Sequence, residues 1–174
     1  MTPGFLQRAD LRLRHALPAA VTVLIVVLSV APLRLPDYAL VAPGLVLIAL
    51  FFWTVHRPDL MRPWHAFAIG LLDDALSGTP LGVNALIFVL VHATIVAQHR
   101  IFRGKSFAVV WAAFAMIAAV AQLLNAGLAL VSARVPLDPL LLGVQLLLTL
   151  ALYPPLVWLL GRTQRALLAG VAAR

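Results

Sequence analysis

Apolar residues run along this chain in long blocks separated by short polar breaks. The blocks are Ala16 to Leu33 (ALPAAVTVLIVVLSVAPL), Tyr38 to Val55 (YALVAPGLVLIALFFWTV), Pro63 to Leu76, Pro80 to Ala97, Phe107 to Ala133 and Pro139 to Leu160. About 20 apolar residues carry a helix across a bilayer core. The pattern therefore predicts an all-α integral membrane protein, with six transmembrane helices at approximately 16–33, 38–55, 63–76, 80–97, 107–133 and 139–160 in a single domain over residues 1–174. The first block follows Arg8, Arg12 and Arg14 and contains SVA, as a cleaved signal would, but it is long for a signal peptide and is read as a span. The fifth is longer than a perpendicular crossing needs and should tilt or bend.

Several breaks carry helix-start chemistry. Thr79-Pro80 and Asp138-Pro139 each set a capping oxygen before a proline at the first helical position, and Asp37 precedes the second run similarly. Pro43-Gly44 should kink the second helix and Pro154-Pro155 the sixth.

Composition agrees with a membrane setting: 63% of the 174 residues are hydrophobic and 11% charged, with a mean hydropathy of +1.03. The formal net charge of +7 would suggest nucleic acid in a soluble protein. Here the basic residues sit in short loops, where they set orientation. With the N-terminus inside, Arg34 and Arg134 alone fall outside, and the other eleven of the thirteen Lys and Arg residues fall inside. Both termini are then cytoplasmic, and SGTPLG (residues 77–82) faces outward. The chain has no cysteine, hence no disulfide or thiolate metal site.

The most informative stretch is GLLDDALSGTPLG, Gly70 to Gly82. An ionised Asp inside a membrane helix is costly and often marks function. Asp73 and Asp74 also fall near a helix C-terminus, where the dipole disfavours negative charge. The free N–H groups of the next helix, around Leu81 to Val83, are the natural compensation for Asp74. Gly70, Asp74 and Gly78 recur at i+4, so Asp74 shares a face with Gly70, while Gly78 and Gly82 suit a sharp turn. Asp73 points about 100° away, toward the outer interface.

Other readings of the polar residues are weaker. A proton or cation path calls for more ionisable groups at depth, and His92 is the one such candidate, read as a hydrogen-bonded packing residue. Adjacent carboxylates on a helix diverge and suit no aspartyl chemistry; no nucleophile motif and no metal-ligand spacing is visible. The expectation is no enzyme, no cofactor and no metal. Gln122 with Asn125, and Gln145 with Thr149 and Tyr153, each share a helix face, suiting interhelical hydrogen bonds or, alternatively, a polar ligand pocket.

The segment from Pro36 to Leu86 resembles the bacterial rod-shape-determining protein MreD family, through PDYALVAPGLVLIALFFW, HRPDLM and above all GLLDDALSGTPLGVNAL. The family pattern of Gly, Asp, Gly and Gly at steps of four, then Ala-Leu, falls here on Gly70, Asp74, Gly78, Gly82, Ala85 and Leu86; Asp73 is not one of its positions. The resemblance implies a non-enzymatic inner-membrane subunit of the cell-elongation machinery supporting peptidoglycan synthesis. Its fold would be similar to the substrate-binding subunits of energy-coupling-factor transporters. Implied partners are MreC and, through it, the penicillin-binding transpeptidase, RodA and MreB, together with membrane lipid and no nucleic acid. The alternative is a small-solute-binding subunit of such a transporter, for which Ala16-x-x-x-Ala20 is a small-residue contact of a suitable kind; a proton-coupled transporter lacks the charged relay.

Overall fold

A computed structural model describes residues 20–27, 44–98, 104–133 and 138–172. These form α1 (residues 20–27), α2 (Leu45–His56), α3 (Pro63–Ser77), α4 (Val83–Ala97), α5 (Phe107–Ala133) and α6 (Pro139–Ala172), and no strand occurs among the described residues. Two apolar segments, Phe107–Leu128 and Pro139–Thr163, are each long enough to cross a membrane.

The helix α2 is the axis of the bundle. Every residue from Val46 to Thr54 is buried, the signature of a helix that is apolar all round and wrapped by others. It packs against α4 and α6, while α3 and α4 form the most extensive helix pair. Phe51, Phe114 and Tyr153 lock α2, α5 and α6 together: Phe114 stacks on Tyr153 at 4.4 Å and meets Phe51 edge-on at 5.1 Å. Since apolar surface gains little by leaving lipid, such close packing and interhelical hydrogen bonds carry the association. Large apolar side chains such as Met116, Leu123, Leu140 and Leu147 face outward, as a lipid-facing surface requires.

Three boundaries differ from the sequence expectation. The fourth helix begins at Val83 rather than Pro80. Pro80 instead accepts a turn hydrogen bond from Val83 N–H at 3.3 Å, and Gly82, at φ 101°, lies outside helical geometry. The sixth helix continues past Leu160 to Ala172; Gly161 alone does not stop it. Gly44 is the N-cap of α2, so the helix starts where a kink was expected; Pro43, like residues 38–42 and both ends of the first predicted span, lies outside the described residues. At the sixth boundary Asp138 caps as expected, accepting the Leu140 N–H at 2.9 Å.

The proline pair lies inside α6, and α5 compensates part of its cost. Pro154 has no N–H to give the carbonyl four residues back, that of Leu150. The indole N–H of Trp111 donates to this carbonyl at 3.3 Å.

Candidate functional site

The tight connection between α3 and α4 is organised around one buried carboxylate. Asp74 sits in the last turn of α3 with no exposed surface. Its Oδ1 accepts hydrogen bonds from the Thr79 hydroxyl at 2.8 Å and the Asn84 N–H at 3.0 Å. Its Oδ2 accepts from the N–H groups of Gly82 at 2.8 Å and Ala85 at 3.4 Å. The negative end of α3 makes this a poor position for an anion, and the positive end of α4 makes it a good one. The three amides belong to the start of α4, the group that would otherwise lack partners.

Of the expected stretch Leu81 to Val83 only Gly82 donates to Asp74, and the other amide donors, Asn84 and Ala85, lie beyond it because the turn is longer than the sequence suggested. Two left-handed residues permit it: Gly78 (φ 70°) ends α3 and Gly82 (φ 101°) precedes α4. Thr79, expected to cap a helix, turns its hydroxyl onto Asp74 instead.

Gly70 fixes the separation of the two helices. A Cβ there would lie 2.6 Å from Ala85 N and 2.8 Å from the Asn84 carbonyl carbon, distances that real side chains do not tolerate. Thus Gly70, Asp74, Gly78, Gly82 and Ala85 converge on one turn. Leu86 does not join them: its backbone closes the first turn of α4 onto Gly82 O, while its side chain is exposed.

The remaining candidates divide among three places. Asn125 Nδ2 donates to Asn84 Oδ1 at 2.7 Å, tying α5 to the Asp74 turn. Gln122 Nε2 donates to Leu142 O at 2.8 Å and Gln145 Oε1 at 3.1 Å, joining α5 to α6. Thr149 accepts from Gly44 N–H at 3.0 Å and donates to Gln145 O at 2.8 Å, so α6 holds the start of α2. His92 lies at the opposite end of α4, where its Nε2 meets the Met61 carbonyl, and Tyr153 belongs to the aromatic cluster. Asp73 is half-buried beside the turn. Among the described residues no three His or Asp side chains gather as a metal site.

Sequence reasoning did not single out Asn84 or give Thr79 its role. The available signal was position: a threonine five residues after Asp74 and an amide ten residues after it, both on the far side of a glycine turn. Asn125→Leu should leave Asn84 Oδ1 without its partner and lower stability by about 0.6–2 kcal/mol, read as a reduced melting temperature of the purified protein; an unchanged temperature would mean this interhelical bond contributes nothing.

The glycine-aspartate turn coincides with a match along most of the chain: the family model described as rod shape-determining protein MreD covers residues 12–163. The chain belongs to the MreD family. Membership places it among membrane proteins with a role in rod-shape determination, within the MreBCD system. No solved structure matches the chain. In this member of the MreD family, Gly70, Asp74, Gly78, Gly82 and Ala85 build the turn.

Proposed function

We propose that the protein is a non-enzymatic scaffold subunit of the cell-elongation complex, binding MreC directly and reaching the penicillin-binding transpeptidase, RodA and MreB through it. The observation that carries this reading is the Asp74 turn. Its carboxylate is consumed by four internal donors, an arrangement suited to holding a surface in shape rather than to turning over a substrate. Family membership supplies the process that such a surface would serve.

The same reading includes six crossings, with both termini cytoplasmic and the α3–α4 turn toward the periplasm, arranged like the substrate-binding subunits of energy-coupling-factor transporters. It draws support from the basic asymmetry of the loops. The helices α3 and α4, at 15 residues each, are about 22 Å long, and the turn between them and local bilayer thinning make up the remaining thickness. A solute-carrier role gains nothing from the interior: Asn84, Asn125, Gln122 and Gln145 bond to one another across helices.

The experiment is retention of MreC through purification in mild detergent, combined with labelling of single cysteines introduced at Ser77 and Lys105, both exposed. The proposal expects MreC to copurify, Ser77→Cys to react from the periplasm and Lys105→Cys only after the membrane is opened. Labelling of both from the periplasm overturns the topology; loss of MreC under conditions that keep the protein folded overturns the scaffold.

A further inference from the structure

The two ends of the bundle differ in chemistry. The four tryptophans, Trp53, Trp64, Trp111 and Trp158, all lie at the end where α2 and α4 finish and α3 and α5 begin. The helix α6 runs antiparallel to α5, since Gln122 meets Leu142 near the start of α6 and Phe107 meets Tyr153 farther along it. Trp158 therefore joins the same end. Trp53 is buried, but Trp64, Trp111 and Trp158 are 60%, 38% and 58% exposed.

Charge follows the same division. Arg57, Arg62, Lys105 and Arg162 sit at the tryptophan end with a single described carboxylate, Asp59, whereas Asp73, Asp74 and Asp138 sit at the other. None of the four cations forms an ion pair among the described residues. Arg162 is the best ordered for binding, because its guanidinium lies 4.8 Å from the centre of the exposed Trp158 ring. The ring fixes the guanidinium by a cation–π contact while leaving its forked N–H donors open for a bidentate partner. Trp158 follows Pro139 by 19 residues, about 29 Å of helix, close to the roughly 30 Å of a hydrocarbon core. Trp158 and Arg162 thus fall at the headgroup level, where a tryptophan ring and an arginine meet lipid phosphate.

We propose that this rim is a binding site for anionic phospholipid, with Arg162 held by Trp158 to grip the headgroup phosphate and the exposed Trp64 and Trp111 seated at the same depth. It rests on the membrane placement of the proposed function, and it adds a lipid class and the residues that select it. Four cations against the one carboxylate of Asp59 favour a net negative lipid over a zwitterionic one; the ring contact directs that preference to one position on the rim.

The test uses the purified full chain in detergent, with phosphatidylglycerol, phosphatidylcholine or inorganic phosphate added and lipid retention read by native mass spectrometry. Phosphatidylglycerol is expected to bind well above phosphatidylcholine, and inorganic phosphate is expected not to displace it. Arg162→Gln should weaken phosphatidylglycerol binding about fivefold, the factor associated with one basic residue near a membrane surface. Arg162→Lys should recover most of it, and Trp158→Leu should lose part of it. Equal binding of the two lipids, displacement by inorganic phosphate, or an Arg162→Gln variant indistinguishable from wild type would overturn the site. The binding assay is blind to orientation, so it fails or succeeds independently of the cysteine labelling.

Discussion

Asp74→Leu should lower the stability of the purified protein by about 3 kcal/mol or more, and its level in membranes with it. The leucine removes the acceptor for three backbone N–H groups and the Thr79 hydroxyl at once, and each buried donor left unpaired costs about 1–3 kcal/mol. Asp74→Asn should fall between this variant and wild type. One asparagine oxygen can still accept at the turn, but its NH2 group faces N–H groups from the other side, and a donor cannot satisfy a donor. Asp73→Asn should change stability by less than about 1 kcal/mol, because no hydrogen bond reaches Asp73 among the described residues. Melting temperatures of the three purified variants, with their membrane levels, check the order; a stable Asp74→Leu beside an unstable Asp73→Asn would assign the carboxylates the opposite way.

Gly70→Val should be comparably damaging for a different reason. The added Cβ would meet backbone atoms, Ala85 N at 2.6 Å and the Asn84 carbonyl carbon at 2.8 Å, so α3 and α4 must move apart as whole helices. Overpacking of this kind costs about 1–3 kcal/mol in a core that can adjust its side chains, and backbone adjusts less readily. Separation also pulls the α4 amides off Asp74, so the effect should approach that of Asp74→Leu and add little to it in the double variant. Gly127→Ala is the control: a Cβ there meets nothing within 4 Å, and the exchange removes a weak helix former, so stability should be unchanged or slightly raised. Melting of the single and double variants decides the matter, and a Gly70→Val protein as stable as wild type would show that close approach is not required.

The helices were legible because a bilayer demands long apolar runs, and runs of that kind can be counted. Asp74 was legible for a related reason: a carboxylate near a helix C-terminus needs donors, and a helix N-terminus lay a few residues ahead. Of its amide donors Gly82 fell within the expected stretch, but Asn84 and Ala85 did not. Their identity depends on Gly82 adopting a left-handed backbone, which delays α4 to Val83 and carries Asn84 and Ala85 over the carboxylate. A glycine announces freedom to take that conformation but not the choice to take it.

The contacts between distant helices were less accessible still. The indole of Trp111 supplies the bond that Pro154 forfeits, across 39 positions of sequence, and Asn84 meets Asn125 across 41. In each case the sequence shows one half of the pair as a polar atom or a missing N–H with an obligation to be met. Which residue meets it is decided by the rotation and height of two packed helices, and single-helix periodicity is silent on both. The α6 extension to Ala172 was missed because hydropathy ends at the membrane boundary, whereas backbone hydrogen bonding does not.

We propose that the α3–α4 turn, organised by Asp74, is the element through which this MreD-family protein supports rod shape. The most direct measurement is cell shape in a strain depleted of its own copy and supplied with wild type, Asp74→Leu or Asp73→Asn at matched membrane levels. Rods are expected with wild type and with Asp73→Asn, and rounded cells with Asp74→Leu. Rods sustained by Asp74→Leu at the wild-type level would contradict it.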